Sequence, residues 1–144
     1  MKISQSKAAV NGKNLRISII LSRFNDTLGN ELLLNTEVRL INLGVQAKNL
    51  SIIKVPGALE IPLAAQLIAK QKKADAIITL GIVIKGDTPH FELVCQETYR
   101  GLMEVNLKYD VPVIFGILTV LNQKQAKDRI DQSKLDKGKE FAEA

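Results

Sequence analysis

The only histidine in the chain, His90, closes the hexapeptide KGDTPH at residues 85–90. An imidazole is the side chain best matched to moving protons near neutral pH. Just before it, Gly86, Asp87 and Thr88 offer a glycine turn, free backbone N–H groups and a hydroxyl, the parts from which phosphate sites are made. Two more groups extend the chemistry. Phe24 follows an apolar run and offers a flat face on which a ring can stack. Glu60 stands in a first helical turn, where it can cap the helix or accept hydrogen bonds from the hydroxyls of a polyol. Taken together, these groups suit a planar, polyol-bearing molecule held beside a phosphate. The matching reaction is a condensation or elimination helped by positioning and proton transfer.

Taken singly, each residue has a plainer reading. A lone histidine is more often an ordinary helix-start residue, Gly86 a simple turn, and Phe24 a core or staple residue. Asp87 and Thr88 can cap the next helix. What changes the balance is where the chain must put them.

Residues 76–84 (AIITLGIVI) form an almost wholly apolar run, the pattern of a strand buried on both faces. From Phe91, apolar positions recur at 91, 94, 98, 102 and 105, counting the Thr98 methyl, which is one face of a helix reaching Tyr109. Residues 16–22 (RISIILS), 50–55 (LSIIKV) and 111–120 (VPVIFGILTV) read as three more strands. A helix capped by Asn25 or Asp26 runs to a stop at Gly44, and another runs from Ala58 to about Lys72, with Pro62 tolerated in its first turn. The charged tail from Asn122 reads as two short helices broken near residues 131–134. This β-α alternation calls for α/β architecture, a four-stranded parallel sheet between two helical layers. In such sheets ligands bind beyond the carboxyl ends of the strands. The segments 22–26, 55–60 and 85–90 each follow a strand, so all three gather at one pole, and His90 gathers with them.

Composition bounds the alternatives. The chain has 144 residues, 46% apolar and 24% charged, which is one domain able to bury a core, with residues 1–15 expected to be loosely held. A single cysteine, Cys95, excludes an internal disulfide and reads as a spectator on a helix. With one His and one Cys, no metal site is expected. The N-terminus lacks the apolar stretch of a signal peptide and no run is long enough to span a bilayer, so a cytoplasmic protein without membrane contact is expected. The net charge of +5 favours anionic partners. The basic residues are scattered and stacking motifs are absent, which argues against nucleic acid.

The segments SRFND, VPGALEIPLAAQLIAK, LGIVIKGDTPHFELV and PVIFGILT, in this order and spacing, resemble the lumazine synthase (6,7-dimethyl-8-ribityllumazine synthase) family over nearly all the chain beyond residue 16. The PGA-x-E and KGDTPHF segments are the specific ones. The resemblance implies a flavodoxin-like three-layer αβα sandwich and the penultimate step of riboflavin synthesis. In that step 5-amino-6-(D-ribitylamino)uracil condenses with 3,4-dihydroxy-2-butanone 4-phosphate, with no cofactor or metal. It implies that Phe24 stacks on the pyrimidine and that Ala58, Leu59 and Glu60 bind the pyrimidine and ribityl chain. The backbone of Ile82, Val83 and Ile84 would hydrogen-bond the ring, while Gly86, Asp87 and Thr88 hold phosphate. His90 would shuttle protons. Phe115 and Arg129 would enter from an adjacent subunit, with Lys137 a further basic residue near the site, so a homo-oligomer, at minimum a pentamer, is implied. Residues 130–136 (IDQSKLD) stand where capsid-forming members carry a glycine-containing turn, so the last two helices are expected to meet at another angle or to merge, and the assembly to stop at the pentamer. The rival reading is a flavodoxin-like module that holds a flavin or lumazine without turnover.

Overall fold

The computed structural model describes residues 10–144. Strands β1 (Ile17–Ser22), β2 (Leu50–Val55), β3 (Ala76–Ile84) and β4 (Val113–Val120) form one sheet in the order β2-β1-β3-β4, every pair parallel. Helices α1 (Asp26–Asn42), α2 (Ile61–Gln71), α3 (His90–Tyr109), α4 (Gln123–Ile130) and α5 (Lys137–Glu143) cover its two faces. Side chains alternate across each strand, which decides the layering. Ile19 and Leu21 of β1 point to Leu32 and Leu40 of α1 and to Ala126 and Ile130 of α4, with Phe141 of α5 packed alongside. Ile20 points the other way, to Ile61 and Ala65 of α2 and to Val94, Leu102 and Val105 of α3. The result is the expected three-layer αβα arrangement, with the strand order of flavodoxin-like sheets. Beyond the inner strands, β2 is an edge, and its Ile52 and Ile53 are exposed.

Boundaries moved where proline acts. β4 begins at Val113 rather than at Val111, because Pro112 has no N–H for a ladder, although its carbonyl accepts from Ile77 N–H at 2.9 Å. The segment before Pro62 closes as a tight 3-10 turn, Ala58–Glu60, before the α-helix proper begins. At the N-terminus, the first nine residues of the segment expected to be loose lie outside the described residues. From there Gly12 N–H donates to Leu43 O at 2.8 Å, and Arg16 pairs with Asp75 at 2.9 Å.

The tail forms two helices that do not merge. Asp131 turns the chain between them without any glycine. Its Oδ1 accepts from the backbone N–H and the hydroxyl of Ser133, and its carbonyl accepts from Lys134 N–H and Asp136 N–H. Asp136 then takes the left-handed conformation, φ 45°, that a glycine would take more cheaply. Asp128 sits between Lys124 Nζ at 2.7 Å and Lys134 Nζ at 2.6 Å, and these hydrogen bonds hold its carboxyl down at about 2. Because that value lies below an ordinary carboxylate's, the clasp supports folding above about pH 4 and loses that support as pH falls through the folded value. Asp128→Asn should therefore melt below wild type at pH 7, with the gap closing near pH 2 and shrinking in high salt, as thermal scans across pH would show.

Candidate active site

The carboxyl ends of β1, β2 and β3 meet in one cleft of about 350 Å³. It is lined by Ser22, Phe24, Asn25, Gly57, Ala58, Leu59, Glu60, Ile82, Val83, Ile84, Gly86, Thr88, His90, Phe91 and Val94. The three loops expected at one pole are thus the cleft's walls. Among the described residues, no three His, Cys, Asp or Glu side chains gather as metal ligands would, and no helix is long and apolar enough to cross a membrane.

Phe24 leaves β1 with 71% of its surface exposed, so its ring is free to take a partner. What holds it there is local. Arg23 N–H donates to Val55 O at 2.9 Å, tying the loop after β1 to the end of β2. Asn25 takes the left-handed conformation, φ 59°, and its side chain does not cap α1 as its position suggested. Its Nδ2 donates instead to Ile82 O at 2.9 Å, bridging β1's loop to β3. Opposite Phe24, Gly57 is bare for a reason: a Cβ there would stand 3.0 Å from Glu60 Oε2 and 3.4 Å from the Phe24 ring. Glu60 Oε2 accepts from Gly57 N–H at 2.8 Å, so this carboxylate does cap the turn. Its Oε1 has no protein partner among the described residues and is available to hydroxyls.

The end of β3 supplies a backbone edge. Its register with β4 runs to Ile84, but its register with β1 stops at Leu80. Ile77 and Lys85 both direct their N–H groups to the β4 side, so the even-numbered Ile82 and Ile84 turn theirs toward β1, where no residue is paired with them. Asn25 occupies one lone pair of Ile82 O. Ile84 keeps both an N–H and a C=O on the cleft side, the donor and acceptor pattern that a heterocyclic imide or amide matches.

The far wall is the loop 85–89 and the start of α3. Thr88 Oγ1 accepts a long bond, 3.4 Å, from His90 N–H. Gly86 has nothing within 4 Å of where a Cβ would be, so its surroundings are open to a ligand. Lys85 Nζ pairs with Glu92 Oε1 at 3.2 Å, closing the loop from strand end to helix start. The Glu92 carboxyl is held below the usual range first by its own backbone N–H and then by Lys85. A 20-residue helix directs its positive end here, beside residues 86–88, whose backbone N–H groups have no protein partner among the described residues, which favours an anion. On the same helix, burial and then the Glu92 carboxylate push the Cys95 thiol up, which leaves it protonated and unreactive at neutral pH.

The sequence model described as 6,7-dimethyl-8-ribityllumazine synthase matches residues 14–144. The chain belongs to the 6,7-dimethyl-8-ribityllumazine synthase family. Proteins of that name from two strains of Coxiella burnetii, CbuG_Q212 and RSA 493 / Nine Mile phase I, are each 41% identical to it over 131 residues. Those alignments cover 91% of this chain and 87% of the relative.

Of the positions to which the lumazine synthase resemblance gave roles, Phe24, Ala58, Leu59, Glu60, Ile82, Val83, Ile84, Gly86, Thr88 and His90 line the one cleft. Asp87, Phe115, Arg129 and Lys137 do not. Phe115 packs on Tyr99 with ring centres 5.4 Å apart, Arg129 donates to Gln125 O of its own helix at 3.1 Å, and Lys137 pairs with Glu140 at 2.8 Å. Ser22, Asn25, Gly57, Phe91 and Val94 join the lining without having been singled out from sequence for a role in binding.

Proposed function

We propose that this chain condenses 5-amino-6-(D-ribitylamino)uracil with 3,4-dihydroxy-2-butanone 4-phosphate, releasing phosphate and water and forming 6,7-dimethyl-8-ribityllumazine. The observation that carries this reading is the single cleft that joins a stacking ring, a strand edge, a free carboxylate oxygen, an anion corner and the chain's one imidazole. The pyrimidinedione lies on Phe24, with its amide edge against the backbone of Ile82–Ile84. Its ribityl hydroxyls reach Glu60 Oε1, beside Ala58 and Leu59. The phosphate sits at Gly86, Asp87 and Thr88, where backbone N–H groups and the α3 dipole stabilise it as it leaves.

That placement sets the order of proton movements. The ring amine attacks the ketone carbon, and the carbinolamine loses water to give an imine. A proton then leaves the adjacent carbon as the C–O bond to phosphate breaks. The ribityl-bearing nitrogen closes the second ring with loss of a second water. His90, between the ring and the anion corner, takes and returns these protons. With both partners prepositioned, the bimolecular step becomes effectively intramolecular.

Phe115, Arg129 and Lys137 complete the site from a neighbouring copy, with Phe115 over the ring and Arg129 against phosphate. An assembly of this chain, a pentameric ring at minimum, has the surface it needs. Leu59, Leu63 and Leu67 stand exposed at four-residue spacing along the Ala58–Glu60 turn and α2, and Leu93, Met103 and Leu107 are exposed on α3. The turn of residues 130–136, built on Asp131 without glycine, favours a pentamer over a larger shell. Synthesis takes place in the cytoplasm.

The stacking assignment has a direct test. Phe24→Ala should raise KM for the pyrimidine about 3- to 10-fold, the worth of one aromatic contact, and leave KM for the four-carbon phosphate unchanged. Steady-state kinetics in which only the phosphate partner weakened would place the ring elsewhere.

A further inference from the structure

Five hydroxyl side chains are buried among the described residues: Ser18, Ser22, Thr36, Thr79 and Thr98. Buried polar groups normally have hydrogen-bond partners, so exceptions ask for a reason. Ser18 Oγ pairs with Ser51 Oγ at 2.8 Å, Thr36 Oγ1 donates to Leu32 O at 2.8 Å, and Thr79 Oγ1 donates to Ile114 O at 2.7 Å. Thr98 lacks a partner but lies outside the cleft. Ser22 is different. It is 1% exposed, its hydroxyl makes no hydrogen bond to the protein among the described residues, and it lines the cleft.

Its direction follows from the strand. Ser22 shares a face with Ile20, the face of α2 and α3 on which Ala58 and Val94 border both core and cleft. On the neighbouring strand stands Gly81, where an added Cβ would lie 2.5 Å from Ser22 Oγ. Position 81 is bare, and the hydroxyl fills the space. The lining of the cleft therefore includes a hydroxyl set into an apolar surface and open to the cleft rather than sealed in the core, where Thr98 Oγ1 is the one fully buried oxygen without a partner among the described residues.

Resting on the function proposed above, we propose that Ser22 Oγ is a binding contact for the heterocyclic partner. It hydrogen-bonds the deepest polar atom of the substrate that lies across Phe24 and the Ile82 edge. The four-carbon phosphate is held at the other end of the cleft, at residues 86–88, and does not reach it. In the free protein the hydroxyl faces the cleft with no protein partner among the described residues, and the ring substrate supplies one.

Replacing Ser22 by Ala should separate binding from folding. No protein hydrogen bond is lost, so the melting temperature should stay level. KM for the ribitylaminopyrimidine should rise about tenfold, the worth of one buried hydrogen bond, with kcat and KM for the phosphate partner unchanged. Fluorescence titration with the lumazine product should show a similar loss without turnover. A lower melting temperature with unaltered affinity would make Ser22 a structural residue and overturn the proposal, as would kinetics and melting both equal to wild type. Wild-type protein that neither turns over nor binds the lumazine would overturn the function beneath it, and this contact with it. An active wild type with an unaffected Ser22→Ala variant removes Ser22 alone.

Discussion

Replacing His90 by Gln should slow lumazine formation by roughly 10²- to 10⁴-fold, the range that positioned acid–base groups supply, while KM for both substrates changes little. The reasoning is spatial. In the proposed arrangement the pyrimidine is held by Phe24, Glu60 and the β3 edge, and the phosphate by backbone donors at residues 86–88, which leaves the imidazole spare for binding. Glutamine keeps the polarity and approximate size of the side chain but cannot carry a proton at neutral pH. The same variant separates the enzyme from a module that only holds flavin or lumazine, because such a module has no use for a proton shuttle. Unchanged turnover would remove His90 from the mechanism.

Arg129→Ala should raise KM for the four-carbon phosphate about 10- to 100-fold, since a charge-assisted contact to phosphate is lost, and leave the pyrimidine's KM nearly untouched. Among the described residues of its own subunit, Arg129 bonds only to its own helix, through Gln125 O at 3.1 Å, so its removal leaves the local fold in place. Because His90 and Arg129 would meet only across two copies, the two variants should complement each other. Co-refolding His90→Gln with Arg129→Ala chains restores sites that carry both native residues, and the mixture should exceed the activity of either variant alone. A mixture no better than the mean of its parts would place both residues in one subunit's chemistry. If the pyrimidine were the substrate that weakened, Arg129 would not be the phosphate ligand.

Much of this site could be read from the chain because it is made of interruptions. The runs 17–22 and 76–84 are so uniformly apolar that they can only be inner strands, and the polar breaks after them are loops by necessity. Parallel topology then brings those loops together without any knowledge of side-chain contacts. The residues that were missed are those whose role depends on what lies across a gap. Asn25 sits where a helix cap belongs, and only the neighbouring strand shows that its amide reaches Ile82 O instead. Ser22 closes an apolar strand and reads as its last residue; the one available signal was a hydroxyl at a strand's carboxyl end where aliphatic residues fill the rest of the run. Gly57 looks like half of a Pro-Gly turn, while its function is to let Phe24 and Glu60 approach.

Phe115, Arg129 and Lys137 show the opposite limit. Inside one chain, each has an ordinary local partner: Tyr99, the Gln125 carbonyl and Glu140. Nothing in periodicity or spacing marks them, because the role proposed for them depends on the surface of a neighbouring copy, which their own chain does not contain. The final turn shows how a motif and its geometry can come apart. Asp131 and a left-handed Asp136 bring α4 and α5 to separate ends without the glycines that the resemblance led one to look for.

The most direct measurement is to mix the purified protein with both substrates and follow lumazine absorbance together with released phosphate. The account predicts that both appear at equal molar rates, and that both fall together in His90→Gln. Phosphate released without lumazine, or no product from well-folded assembled protein, would contradict it.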